Sequence, residues 1–230
     1  MSCKRIFTVF SVIALLFVSL SAMAQPEDRD FIRQQIEKQG RCRNVAITKT
    51  NGDLMLYGKN GWAANACPQG LTDALDYLNE TDEFIDEVQL TEKGKWVIIY
   101  GDNGLRYDGI PEDLEDALLE CVIDDEVIHS VTFNDAGEWV LITGSFVQSS
   151  DDDLTEYILN GQEEFGAVWT ACMTDDAMVV VYAKGFQTLG EIPESLKKAM
   201  SETDIDIFRL KIAGDSWFFS DGEDEYDYEM

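Results

Sequence analysis

Positive charge is what this sequence has least of. Lys and Arg together number 17 against 45 Asp and Glu, the formal net charge is −28, and neither Lys nor Arg occurs from Tyr107 to Ala183. A surface this acidic repels phosphate backbones, which excludes nucleic acid as a partner. Histidine occurs once, as His129. A catalytic histidine needs a nucleophile and an orienting acid beside it, and no G-x-S-x-G, H-E-x-x-H, Walker or dinucleotide pattern supplies them. Alternating with Ile128 and Ser130 at the start of a strand, His129 reads as an exposed or capping residue. The five cysteines form no C-x-x-C and no Cys/His cluster, so the usual zinc patterns are missing. Beyond residue 24 no apolar run approaches the ~20 residues of a membrane-spanning helix.

What is present begins with an export signal. Lys4 and Arg5 precede an apolar stretch from Ile6 to Leu20, and Ala22-Met23-Ala24 completes the small-x-small pattern of a cleavage site. Residues 1–24 are therefore expected to be a signal peptide, cut between Ala24 and Gln25, and the mature chain to be secreted or periplasmic. Gln25 follows the cut, so no lipid-bearing cysteine is expected there. Cys42, Cys67, Cys121 and Cys172 remain after cleavage. Cys42 and Cys67 flank the first strand pair and are the expected disulfide; closing a loop of about 25 residues would contribute roughly 3 kcal/mol. Cys121 falls on an apolar helix stripe and reads as a buried thiol.

An internal repeat organises the rest. Tyr57, Tyr100 and Tyr182 are each followed eleven residues later by a proline: Pro68, Pro111 and Pro193. Leu71, Leu114 and Leu196 lie three residues beyond the prolines, and Ala74, Ala117 and Ala199 six beyond. Val45 with Ile47, Val88 with Leu90, and Val131 with Phe133 keep the same step, with Thr143 standing in for the tyrosine of the third copy.

Each copy reads as two strands and a helix. Val88 and Leu90 share one face of a first strand, as a period of two requires. Trp96-Val97-Ile98-Ile99-Tyr100 is apolar on both faces, so the second strand should be covered on both sides. Gly101-Asp102-Asn103-Gly104 ends it with residues that tolerate positive φ. Pro111, Glu112 and Asp113 then open a helix, with Leu114, Ala117, Leu118, Cys121 and Val122 on one stripe. The expected fold is α+β: about five tandem helix–strand–strand units in residues 25–220, forming a largely antiparallel, curved or closed sheet with helices on one face. A helix over 28–38, carrying Phe31, Ile32 and Ile36 on one face, is expected to cap the array. Residues 221–230, a block of acids with two tyrosines, are expected to be a disordered tail. The cadence of strand, glycine, Trp-bearing strand and Gly-Ile-Pro helix resembles repeats of bacterial secreted proteins, a likeness that brings no activity with it.

Candidate chemistry is sparse. Asp151, Asp152 and Asp153 offer hard oxygen ligands suited to calcium, as do Asp102 and Asn103, but neither run completes a calcium loop with a distal Glu; a helix start and a hairpin turn are the simpler readings. No cofactor is expected. Trp62, Tyr107, Phe146 and Phe186 place an aromatic between second strand and helix in four units. If these segments are loops lined up at one end of the array, they suit glycan or peptide recognition. The expectation is a non-enzymatic binding or scaffold protein holding a protein or glycan partner. Its rival is a secreted hydrolase with a carboxylate pair in a cleft.

Overall fold

The repeated unit is a helix followed by three antiparallel strands, one strand more than the sequence cadence shows. The computed structural model describes residues 30–50 and 52–230, so the signal segment and its cleavage site lie outside the described residues. The units run α1 Asp30–Gln39, β1 Asn44–Ile47, β2 Asp53–Tyr57, β3 Gly61–Asn65; α2 Gln69–Glu80, β4 Ile85–Leu90, β5 Trp96–Tyr100, β6 Gly104–Asp108; and α3 Glu112–Asp124, β7 Ile128–Phe133, β8 Trp139–Thr143, β9 Val147–Ser149. They continue with α4 Asp152–Phe165, β10 Val168–Met173, β11 Met178–Tyr182, β12 Gly185–Leu189; and α5 Glu194–Glu202, β13 Arg209–Ala213, β14 Ser216–Ser220, β15 Tyr226–Glu229. Within every unit the three strands form a separate meander, first to second to third.

The third strand escaped the sequence reading because it alternates weakly. Segments such as Gly61-Trp62-Ala63-Ala64-Asn65 are half-buried outer edges, where short and partly polar strands are usual. A tight turn launches each one. Gly58 and Gly101 take φ of 58° and 57° directly after the tyrosine, a conformation costly for other residues. The tyrosine ring then lies over the glycine opposite it: a Cβ on Gly61 would come within 2.5 Å of Tyr57 Cε2. Gly104 meets Tyr100 in the same way in the second unit.

Five apolar clusters explain why the second strands are apolar on both faces. Leu54 and Leu56 of the first sheet meet Val88 and Ile98 of the second, with Leu71, Leu75 and Leu78 of α2 wedged between. Val97 and Ile99, on the opposite face of β5, meet Val131, Phe133 and Leu141 across α3. The pattern repeats with Val140, Ile142, Met178 and Val180 around Ile158 of α4, and with Val179, Val181, Trp217 and Phe219 around Leu196 of α5. The fifth cluster joins the ends of the chain. Val45 and Met55 of the first sheet pack with Ala213 and Phe218 of the last, and Ile32 and Ile36 of α1 fill the wedge.

The first strands touch in order, β1 to β4, β7, β10 and β13, and β13 touches β1. The result is a five-bladed, propeller-like ring with three strands per blade. The α+β repeat of antiparallel strands is as expected; the sheet, expected to be curved or closed, is five separate sheets closed into a ring, and each helix sits between neighbouring sheets rather than on a common face. Twisted blades can close by side-chain packing without hydrogen bonds between them, which is why an alternation pattern does not distinguish the two arrangements.

The tail is a further correction. Residues 226–229 pair with β14, Phe218 opposite Tyr228 and Ser220 opposite Tyr226. Tyr226 and Tyr228 alternate with Asp227 and Glu229, so the two rings join the closing cluster while the acids face outward. Tyr226 stacks on Phe218 with ring centroids 6.1 Å apart.

The scarce cations and many of the carboxylates hold blade to blade. Arg43 reaches the carbonyl of Ile85 in the next blade at 2.5 Å and stacks over Phe84 at 4.4 Å. At one end of the ring the hairpins clasp each other. Glu92 accepts from Lys49 N and Thr50 Oγ1, and Asp135 from Thr91 Oγ1 at 2.8 Å and Lys93 N at 2.9 Å. Asp175 accepts from Asp135 N at 3.2 Å. Among the described residues no helix is long and apolar enough to cross a membrane.

Candidate site at the mouth of the ring

A bulge near the start of the first strand recurs in three consecutive blades. Pairing slips by one residue between Ile85 and Glu87, between Ile128 and Ser130, and between Val168 and Thr170. The extra residues are Asp86, His129 and Trp169. Bulges re-aim side chains and are frequent beside functional sites. Here they bring Asp86, His129 and Trp169 to the rim of one cavity of about 700 Å³, which Arg209 at the head of β13 also lines. Phe84, Val127, Phe146 and Phe208 stand around it, exposed by 39%, 54%, 42% and 36%. Trp169 and Phe208 form a tilted pair, centroids 4.9 Å apart and planes at 44°.

The preceding turn of the ring orders this rim. Asn103 Nδ2 donates to Glu126 O at 2.6 Å, and Ile128 N donates to Asn103 Oδ1 at 3.3 Å. That fixes the segment carrying Val127 and His129. Glu126 accepts from Ser145 N at 2.8 Å and Ser145 Oγ at 3.0 Å. Hydrogen bonds from Thr143 and Ser145 hold its carboxyl below the ordinary range. Ser145 Oγ is thus committed to the Glu126 carboxylate, and His129, beside the same Gly144–Ser145 segment, makes no hydrogen bond to it.

Beneath the mouth the axis is filled by a buried polar network. Glu87, 1% exposed, pairs with Lys211 Nζ, with Arg209 Nε at 3.3 Å, and accepts from Asn44 Nδ2 at 3.2 Å. Lys211 also donates to Gln89 Oε1 at 2.9 Å. Ser130 and Thr170 share a hydrogen bond of 2.9 Å, and Thr132 Oγ1 accepts from Met173 N at 2.9 Å. Arg209 closes the floor: its Nη2 pairs with Asp86 Oδ1 at 2.7 Å and its Nη1 donates to the carbonyls of His129 and Phe208 at 3.2 and 2.8 Å. Burial opposes the Arg209 charge, but Glu87 and Asp86 outweigh it and raise the guanidinium pKa.

The residues singled out in the sequence are scattered. Trp62, Tyr107 and Phe186 lie on third strands, β3, β6 and β12, and pack half-buried in three different interblade clusters. They are edge-strand residues rather than loop residues and share no site. Tyr107 Oη donates to Glu115 at 2.8 Å, anchoring its strand to α3. Phe186 lines a separate groove of about 500 Å³ which Trp169 also borders. Phe146 alone of the four reaches the mouth.

Asp151 caps α4, accepting from Asp153 N at 2.7 Å. Asp152 and Asp153 occupy the first turn, and among the described residues no three His, Cys, Asp or Glu are arranged to hold a metal ion. The Cys42–Cys67 bridge is also corrected: all four described cysteines are free thiols. Cys42 belongs to the closing cluster around α1, and Cys67 packs against the next cluster along the ring. Flanking the same strands in sequence put the two on opposite sides of one sheet. Burial pushes the Cys67 and Cys172 thiols up to about 11.

Asp86, Trp169, Phe208 and Arg209 went unread as site residues, and His129 was placed at a strand start without a role. Their signal was present: residues 86 and 129 are 43 apart, and 129, 169 and 209 follow at intervals of 40, the spacing of the blades. Scans against protein-family models and curated proteins gave no match for this chain.

Proposed function

We propose that the mature chain is an exported, non-enzymatic binding protein that takes a protein or glycan partner at the mouth of the ring. One observation carries this reading. Phe84, Val127, Phe146 and Phe208, four of the ten exposed large apolar side chains among the described residues, converge with Trp169 on a single cavity, whereas the other six line no part of it. Exposed apolar groups gathered on a polar surface mark interaction sites. A hydrolase working through a carboxylate pair would need two acids held in one cleft, one with a raised pKa. Of the three acids lining the mouth, Asp86 is paired with Arg209, Asp221 accepts the amides of Glu223 and Glu225, and Glu223 is exposed.

Affinity capture from the exterior of the native cell, with the wild type beside a Phe146→Ala/Phe208→Ala variant, tests the reading. The wild type is expected to retain a partner that the variant loses while its circular dichroism is unchanged. A partner retained equally by both, or turnover of a glycan or peptide substrate by the wild type, overturns it.

A further inference from the structure

We infer, resting on the mouth as the binding site, that its ligand is a cationic polypeptide segment bearing aromatic or aliphatic side chains. The walls of the cavity come largely from blades three and four, between Val127 and Trp169. This part of the chain lies within the stretch from Tyr107 to Ala183 that carries nineteen Asp and Glu and no Lys or Arg. The cations beneath the mouth are engaged, Arg209 on Asp86 and Glu87, Lys211 on Glu87, and Arg43 on the carbonyls of Gly58 and Ile85 and the inner face of Phe84. None of those nineteen acids lines the cavity itself, although Glu126 stands behind Ser145, and the acids on its rim are Asp86, Asp221 and Glu223. Glu223 has no ion-pair partner among the described residues, and Asp221 Oδ1 accepts the amides of Glu223 and Glu225. An incoming ligand therefore meets negative potential around an apolar basin, which attracts cations and repels anions over about a Debye length, ~10 Å at moderate salt.

The polar groups of the mouth favour a peptide over a sugar. A glycan needs many unengaged donors and acceptors besides a flat ring. Here Thr143 Oγ1 is used by the amides of Ser145 and Phe146, Ser145 by Glu126, and Asp86 by Arg209. Three polar side chains of the lining, His129, Gln162 and Glu223, make no hydrogen bond among the described residues, and the rest of what remains open is apolar: the Trp169–Phe208 corner, Phe146, Val127 and the edge of Phe84. Such a basin accepts apolar side chains, while flanking lysines or arginines can lie over the aromatic faces or beside Glu223.

His129 is the only histidine of the chain, so its ring proton resonance reports on the mouth alone. Three probes are titrated into the mature protein: a blocked pentapeptide alternating lysine and phenylalanine, its glutamate–phenylalanine counterpart, and chitotetraose. The basic peptide is expected to shift the His129 resonance and to bind about tenfold or more tighter than the acidic one, with the gap narrowing in high salt. Phe208→Ala is expected to weaken it about tenfold. Glu223→Gln, exposed and harmless to folding, is expected to weaken it about two- to fivefold. Equal affinity for the two peptides overturns the inference. Chitotetraose binding with a His129 shift, and no peptide binding, overturns it while leaving the mouth as a binding site. Basic-peptide binding that leaves His129 unmoved, or no shift with any probe, overturns both.

Discussion

Glu87 on β4 and Lys211 on β13 meet across the axis of the ring, 124 residues apart in the chain. The pair ties the second blade to the fifth, and Asn44 adds the first. Three blades thus share one buried carboxylate. Nothing in the neighbourhood of either residue in sequence indicates the contact.

Removing one partner of such a pair leaves a charge without its counterpart, at a cost of about 3–5 kcal/mol, whereas removing both is far less costly. Lys211→Met is expected to lower stability by about 3 kcal/mol, because Arg209 still faces Glu87, and adding Glu87→Gln is expected to recover part of the loss. Urea denaturation of the two variants measures both effects. A change below about 1 kcal/mol for Lys211→Met would show that the axis contributes little to holding the blades.

Closure of the ring is the second point of test. Tyr226 and Tyr228 cover Phe218 from one side and Ile32 and Ile36 from another. Truncation after Ser220 removes one strand ladder and two half-buried rings, and is expected to cost about 2–4 kcal/mol. Asp227→Asn with Glu229→Gln, which removes two charges but keeps an amide oxygen to accept from Trp217 Nε1, is expected to leave the thermal midpoint within a few degrees. The loss on truncation should persist at high salt, since apolar contact rather than charge closes the ring. An unchanged midpoint after truncation would mean that β15 is an ornament.

The third expectation concerns alkaline pH. Cys172 is buried, and burial lifts its thiol from an ordinary value of 9.0 to about 11. The folded state therefore keeps the proton between pH 9 and 11 where the unfolded chain releases it. Stability is full below pH 9 and falls as pH rises through this window, by roughly 2 kcal/mol from this thiol at pH 11. Cys172→Ala is expected to flatten that slope, read from denaturant midpoints at pH 8 and pH 10.5. Parallel slopes in wild type and variant would count against a buried protonated thiol.

Local pattern was enough for the repeat, its helices and its doubly covered second strands. Leu71, Ala74, Leu75 and Leu78 make an apolar stripe whatever they pack against, and a strand apolar on both faces must be covered on both. Those are consequences of periodicity and of the free energy of burial, and they travel with the chain. The third strands were not legible, because an edge strand is stabilised by its neighbour rather than by its own alternation. The tail was misread because its charge masked the two-residue period of Tyr226 and Tyr228. The mouth was legible only as a spacing, 43 residues from Asp86 to His129 and 40 from there to Trp169 and again to Arg209, and not as a site. A bulge shifts register by one residue, and a one-residue shift turns Asp86, His129 and Trp169 from one direction to another without altering composition or period. Only the closed ring decided that these three, with Arg209, share a single cavity, since their meeting depends on the angle at which five twisted sheets pack.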